Sequence, residues 1–440
     1  MEGFMKGFVK IFTYGCQMND LDTQKMYSEL SKMGFDKTDE TRLADIIILN
    51  TCSVRQKAYE KVMSNLGRLV SYKKRNPSLI IVMTGCVAQQ EGYGIRERMP
   101  HVDMILGTHQ LHRLPELLNK RALGKAPIIE TDFASCIPSM DIIPELKFTD
   151  HPHRAYINIM QGCENFCSYC IVPFVRGNEI SRDCGKVLAE VREHASRGVK
   201  EIFLLGQNVN SYKGGMSFPD LLRNINSVEG IERIRFTTSH PKDMSNDLIA
   251  CFQSLEKLCS HIHLPFQSGS DAVLQAMNRH YTRQSYLALT EKLRTARPDI
   301  SLSADVIVGF PGETNKAYLE TLDVIRAVKF DVLYSFKYSE RPGTRAAKLK
   351  DDVPPDEKLE RLKGLQALQR AITIENNRDR IGKTYEVLVD GVSMRHANQI
   401  HGRTTQNTIV NFDGDISILG KIVRVKIKRA NPNSLTGEMI

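Results

Sequence analysis

The sequence predicts a three-part α/β chain: an N-terminal parallel α/β sandwich, a central complete or partial βα barrel, and a small C-terminal β-barrel. Three observations predict it. Short apolar, β-rich runs alternate with amphipathic stretches over residues 1–125, and such alternation implies a parallel sheet covered by helices. The rhythm resumes over residues 151–376, where about six βα units have the size of a whole or partial barrel. Over residues 377–440 the helices stop and strands follow one another through turns, as in the small barrels that include oligonucleotide-binding folds.

In the first part the runs FVKIFTYGC, ADIIILNTC and LIIVMTGC read as buried parallel strands, because they are apolar without alternation. Asp22 to Met33 and Arg55 to Tyr72 read as the helices between them. Residues 126–150 carry three prolines and no steady period, the mark of a linker or strap. In the central part the candidate strands are AYINIMQG, EIFLLGQN, RIRFTTSH, HIHLPFQ, LSADVIVGF and VLYSFKYS. Functional residues are expected at their C-terminal ends, where GCENFCSYC, GQNVN, TSHP, QSGS and GFPGET stand. Leu359 to Arg380 reads as a polar connecting helix. The terminal strands are TYEVLVDGV, TTQNTIVNF and KIVRVKIKRA. In the last of these, Val423, Val425 and Ile427 alternate with Arg424, Lys426 and Lys428, which puts the bases on one face.

The chain has 440 residues, 41% hydrophobic and 25% charged, ordinary values for a globular protein. No run approaches the ~20 apolar residues that span a bilayer, and the N-terminus lacks a signal-peptide pattern. These features read as a cytoplasmic protein away from membranes, with reduced thiols. Its ten cysteines are then metal ligands or small buried hydrophobes rather than a disulfide framework. The net charge of +9 serves solubility or a polyanionic partner such as RNA.

Six cysteines form two triads. Cys163, Cys167 and Cys170 make a compact C-x3-C-x2-C run. Two short loops let three thiolates converge, and three thiolates on a four-iron cluster leave one iron open. Structural zinc is the alternative, but zinc takes four closed ligands, usually from paired C-x2-C units, and no second pair follows. Cys16, Cys52 and Cys86 are dispersed, and gaps of 36 and 34 residues match no simple metal motif. Three buried cysteines is the plain alternative there. Each, however, ends an apolar run, so a parallel sheet would gather all three at the edge where such sheets build their sites.

C-x3-C-x-aromatic-C after a first barrel strand resembles the signature of radical S-adenosylmethionine enzymes. The resemblance implies that Cys163, Cys167 and Cys170 hold a [4Fe–4S] cluster whose open iron chelates the methionine moiety of S-adenosylmethionine. It places Tyr169 by the adenine and Gly206 and Gln207 by the methionine end. Gln267 and the DVIVGFPGE stretch would face the same cofactor. The words TYGCQMND, NTCSVRQKAYEKV and TGCVAQQEG resemble the N-terminal domain of the methylthiotransferases, and the terminal β-domain is similar to the RNA-binding TRAM module. GCQMN, NTCSVRQKA and VDMILGTHQLHRLPELL resemble the branch of tRNA-2-methylthio-N6-dimethylallyladenosine synthases.

This resemblance implies that Cys16, Cys52 and Cys86 hold a second [4Fe–4S] cluster, which carries sulfur. Of two S-adenosylmethionines per product, one methylates that sulfur. The other yields the radical that removes hydrogen from C2 of isopentenyladenosine at tRNA position 37. The implied partners are a tRNA anticodon stem-loop, an electron donor and a sulfur or cluster supply protein, with the enzyme a monomer. Two other readings stay open: a methylthiotransferase of a ribosomal protein or of threonylcarbamoylated tRNA, and a non-catalytic, metal-containing RNA-binding protein. Cys136, Cys184, Cys251 and Cys259 read as buried or incidental. His240, His261 and His263 read as structural, with His240 at the strand-end edge.

Overall fold

The computed structural model describes residues 7–53, 56–124, 126–393 and 399–440. By internal contacts the chain divides into two units: residues 1–150 with 158–164 and 171–182, and residues 151–157, 165–170 and 183–440. No helix among the described residues is long and apolar enough to cross a membrane.

The first unit is built on β1 (Gly7–Tyr14), α1 (Gln17–Lys32), β2 (Phe35–Lys37), β3 (Ile46–Thr51), α2 (Gln56–Arg75), β4 (Ile80–Gly85), α3 (Cys86–Arg98), β5 (Met104–Leu106), α4 (Leu114–Ala122) and β6 (Ile128–Glu130). The strands form one sheet in the order β2-β1-β3-β4-β5-β6, every pair parallel. Alternate residues of a strand point to opposite faces, and β3 fills both. Ile46 and Ile48 pack with Tyr27, Leu30, Leu114 and Leu117 on one face. Ile47 and Leu49 pack with Val62, Leu66, Leu69 and Ile95 on the other. That double burial is why the run lacks alternation.

Two expectations need correction. Residues 126–150 are not only a strap, because Ile128–Glu130 adds a parallel edge strand to the sheet. The rest of the strap is held by Lys25, a buried lysine whose Nζ donates to the carbonyls of Ser139 at 2.7 Å and Met140 at 3.3 Å. The helices also begin and end differently. The first starts at Gln17, and the second runs to Arg75 from Gln56, its expected Arg55 start lying outside the described residues.

The chain continues through β7 (Arg154–Asn158), β8 (Met160–Gln161), α5 (Val172–Arg176) and β9 (Ile180–Ser181). AYINIMQG is therefore two strands, and β8 pairs antiparallel with β9.

The second unit carries α6 (Cys184–Ser196), β10 (Glu201–Leu205), α7 (Phe218–Asn226), β11 (Arg233–Phe236), α8 (Asn246–Ser254), β12 (His261–His263), α9 (Asp271–Ala276), α10 (Arg283–Ala296), β13 (Ser301–Val308), α11 (Asn315–Val328) and β14 (Val332–Lys337). β11, β10 and β7 make one three-stranded sheet, and β12, β13 and β14 another. A single parallel bridge from Ile234 to Leu258 leads from the first toward the second, giving a partial barrel.

Helix α12 (Pro355–Arg378) leads to a closed barrel of β15 (Thr384–Val392), β16 (Gln399–Thr404), β17 (Ile409–Asp413), β18 (Ile422–Ala430) and β19 (Leu435–Met439), in the order β15-β16-β17-β19-β18. Val387, Val389, Phe412, Val425 and Ile427 fill it. TTQNTIVNF is not one strand, since a turn with Asn407 at φ +65° separates β16 from β17.

Buried ion pairs fix this barrel to the N-terminal ends of the central strands. Glu201 bonds Arg154 at 2.9 Å and Arg235 at 2.7 Å. Arg154 reaches Asp390 at 2.6 Å. Arg235 donates to the carbonyls of Thr404 and Thr405, and Arg233 to those of Arg403 and Glu386.

Candidate functional site

In the first unit, sheet register gathers the dispersed triad. Tyr14 lies opposite Thr51, and Thr51 opposite Gly85. Cys16 follows two residues after the first of these, Cys52 and Cys86 one residue after the others. The three cysteines therefore leave adjacent strands at one edge, beside the β1/β3 switch point where the strand order reverses, the usual ligand crevice of such sheets. The Cys52 amide donates to the Tyr14 carbonyl at 2.8 Å. Asn19 and Asn50 lock the turn that carries Cys16. Asn19 Nδ2 donates to Asn50 Oδ1 at 2.9 Å, and Asn50 Nδ2 returns to the Asn19 carbonyl at 2.8 Å. Gly85 stands at φ +91°, and a Cβ there would overlap the Thr51 carbonyl oxygen, so only glycine lets β4 approach β3 this closely.

The thiols differ. A hydrogen bond with Cys52, helped by the Arg176 charge and helix-start amides, holds Cys16 down at about 6 against desolvation, although Cys16 itself is exposed. Burial pushes Cys86 up, against the pull of Arg176. Among the described residues, no three His, Cys, Asp or Glu side chains converge closely enough for one metal ion. A single zinc needs all its ligands within ~2.0–2.3 Å, whereas a four-iron cluster gives each thiolate its own iron.

The compact run is fixed locally. The Cys163 amide donates to the Gly177 carbonyl at 3.2 Å. Cys167 and Cys170 group with the second unit, where the Cys170 amide closes a turn on the Cys167 carbonyl at 2.9 Å. Ser168 ties this turn to the end of α9. Its amide donates to Met277 at 3.0 Å and its hydroxyl to Ala276 at 2.8 Å. Arg279, buried, donates from Nη1 to Cys167 Sγ at 3.4 Å, from Nη2 to the Pro265 carbonyl at 2.8 Å and from Nε to Tyr281 at 3.0 Å.

Tyr169 packs beside Val273, Met277, Phe310 and Tyr338. Gly206 and Gln207 directly follow β10. Gln267 stands at φ +65° and is pinned to β13 through its amide to Asp305 at 3.0 Å and its carbonyl from Ile307 at 2.9 Å. Around these strand ends Asn208 Oδ1, Ser239 Oγ, His240 Nε2 and Gln267 Oε1 are buried without a partner. Burying polar atoms unpaired is costly, so this cluster suits a polar ligand such as S-adenosylmethionine. His240 is held down to about 2 by burial and by Arg279, so it is neutral near pH 7. In the loop after β13, Glu313 accepts from the Gly309 amide at 3.1 Å and from Arg361 at 2.7 Å, a structural clasp.

On β18 Arg424, Lys426 and Lys428 are exposed while Val425 and Ile427 point inward. Lys428 is paired with Glu438 at 2.8 Å, which leaves Arg424 and Lys426 as the less neutralised bases of the stripe.

Sequence reasoning missed Arg176 and Arg279. Neither stands at a fixed spacing from the cysteine it serves.

Residues 8–107 match a family described as uncharacterized protein family UPF0004, residues 157–325 the radical SAM superfamily, and residues 378–440 the TRAM domain. The tRNA-2-methylthio-N(6)-dimethylallyladenosine synthase of Geotalea uraniireducens is 49% identical over 97% of both chains. The protein of the same name from Syntrophotalea carbinolica is 46% identical over 99% of this chain and 100% of its own. Among solved structures, the radical S-adenosylmethionine methyltransferase TsrM from Kitasatospora setae aligns with a TM-score of 0.59, covering 83% of this chain and 89% of its own. At 14% identity that likeness is one of fold.

Proposed function

Because the chain belongs to the family of the tRNA-2-methylthio-N(6)-dimethylallyladenosine synthases, we propose that it converts N6-isopentenyladenosine at position 37 of tRNA to the 2-methylthio derivative. The observation that carries this reading is the full-length kinship at 46–49% identity. The in-register placement of Cys16, Cys52 and Cys86 supports a second cluster.

In this proposal Cys163, Cys167 and Cys170 hold one [4Fe–4S] cluster, and Cys16, Cys52 and Cys86 the other. Tyr169, Gly206, Gln207 and Gln267 line the S-adenosylmethionine site. Together these groups supply radical and sulfur-transfer chemistry, which an adenine C2–H needs because it is not acidic enough for general-base catalysis. The protein's own part is to orient and to exclude water. Neutral His240 offers a hydrogen bond without adding charge, and Gln267 is set rigidly by its two backbone bonds. Arg424 and Lys426 would meet RNA phosphates. The target base leaves the anticodon-loop stack to enter, as bases in loops readily do. An electron donor and a sulfur or cluster supply protein complete the system. The working state is a cytoplasmic monomer, with the first sheet running on through Ile128–Glu130 and divisions at residues 150 and 376.

The test is anaerobic reconstitution, then reaction with reductant, S-adenosylmethionine and isopentenylated tRNA, with nucleosides read by mass spectrometry. The intact protein should form the methylthio nucleoside. With Cys16, Cys52 and Cys86 replaced by Ala, product should vanish while 5′-deoxyadenosine still forms. Deoxyadenosine without product from the intact protein would sink the substrate assignment and keep the radical enzyme.

A further inference from the structure

Arg176 is 3% exposed at the end of α5. A guanidinium so deeply placed needs acceptors for its fork of donors. Its Nη2 donates to Asp22 Oδ2 at 3.0 Å and its Nη1 to Gln161 Oε1 at 3.3 Å. Its guanidinium also lies close to the Cys86 thiol. The backbone behind it is clamped. Thr108 Oγ1 donates to the Val175 carbonyl at 2.7 Å, and His109 Nε2 to the Arg176 carbonyl at 2.9 Å. Ile171 and Val175 pack on Cys86. The side chain is thus aimed at the dispersed triad from a fixed base, and every residue named here belongs to the first unit.

We infer that Arg176 is a positioning residue for the second cluster: from a helix packed on Cys86 it sets a buried positive charge against the anionic thiolate–iron–sulfur group. This rests on the proposal that Cys16, Cys52 and Cys86 hold that cluster. A cluster's reduction potential follows its net charge and the hydrogen bonds to its sulfurs. Removing the guanidinium therefore makes the cluster harder to reduce. Lysine keeps the charge but cannot serve both Asp22 and Gln161 in one planar fork, so it restores only part of the effect. Asp22 offsets the same charge from the other side, and neutralising it makes the cluster easier to reduce.

The experiment uses the full chain with Cys163, Cys167 and Cys170 replaced by Ala, so that one cluster remains. Its iron content is measured, and its midpoint potential is followed by electron paramagnetic resonance. Arg176→Gln should lower the midpoint, Arg176→Lys should fall between that and the parent, and Asp22→Asn should raise it. A folded Arg176→Gln chain that holds no iron, while Arg176→Lys does, also supports the assignment. Full iron with unchanged midpoints in Arg176→Gln and Asp22→Asn overturns it. If Arg176→Gln does not fold, Asp22→Asn decides alone. A parent that binds no iron overturns the reading of the triad itself, and is told apart by failing before any change at Arg176.

Discussion

The two cysteine triads are specified by opposite means. Cys163, Cys167 and Cys170 lie within one short run, and the turn through Cys167 and Cys170 is stitched to α9 by Ser168. Cys16, Cys52 and Cys86 come together only because β1, β3 and β4 are adjacent and in register. The first arrangement is written in spacing, the second in topology. A local motif tolerates change elsewhere in the chain, whereas a register-built site depends on every contact that holds the strands level. Each triad also has a buried arginine on one cysteine, but Arg176 is offset by Asp22, while the bonds of Arg279 go to uncharged oxygens and Cys167.

The largest effect is expected from a single methyl group. Gly85→Ala puts a Cβ against the Thr51 carbonyl at a φ of +91°. Strain and overlap together should cost at least about 4 kcal/mol locally. Iron per chain should drop from about eight to about four, and 5′-deoxyadenosine formation should persist. Retention of both clusters would show that register matters less than argued.

Glu201→Gln comes next and strikes the second unit. Burial alone would push Glu201 up, but Arg235, Arg154 and Arg233 hold it at about 2. Breaking one member of such a network costs roughly 3–5 kcal/mol, readable by urea unfolding. The sign with pH follows, because a lowered carboxylate pKa stabilises the fold fully above the ordinary value of ~4.3 and loses that contribution as pH falls toward 2. The variant should show less of this acid-side loss than the parent. An equal slope in both would remove Glu201 from the account.

Ser168→Ala is the mildest change. It deletes one hydroxyl bond to Ala276 and should cost about 1 kcal/mol, with both clusters kept. Loss of the compact cluster in this variant would mean that local spacing is not sufficient.

Legibility in the sequence divides along the same line. Long apolar runs such as Ile46–Thr51 and the compact cysteines were readable, because their signals are local. The three-residue β6 was not, since nothing so short has a period, and it lies among prolines. β16, with histidine, glycine and arginine in QIHGRT, lacks an apolar run, and β19 is similarly short. Arg176 and Arg279 were invisible because an arginine's partner is chosen by tertiary structure. The dispersed triad stood between the two cases: its placement at strand ends could be read, but the register that levels it could not.

The arginines beneath the central strands have a further consequence. They seat the terminal barrel at the N-terminal ends of those strands, whereas Asn208, Ser239, His240 and Gln267 hold their unpartnered polar atoms at the C-terminal ends. The eight residues of β13 span roughly 26 Å at about 3.3 Å each. The central strands thus set the spacing between the face that carries the terminal barrel and the face that carries the polar cluster.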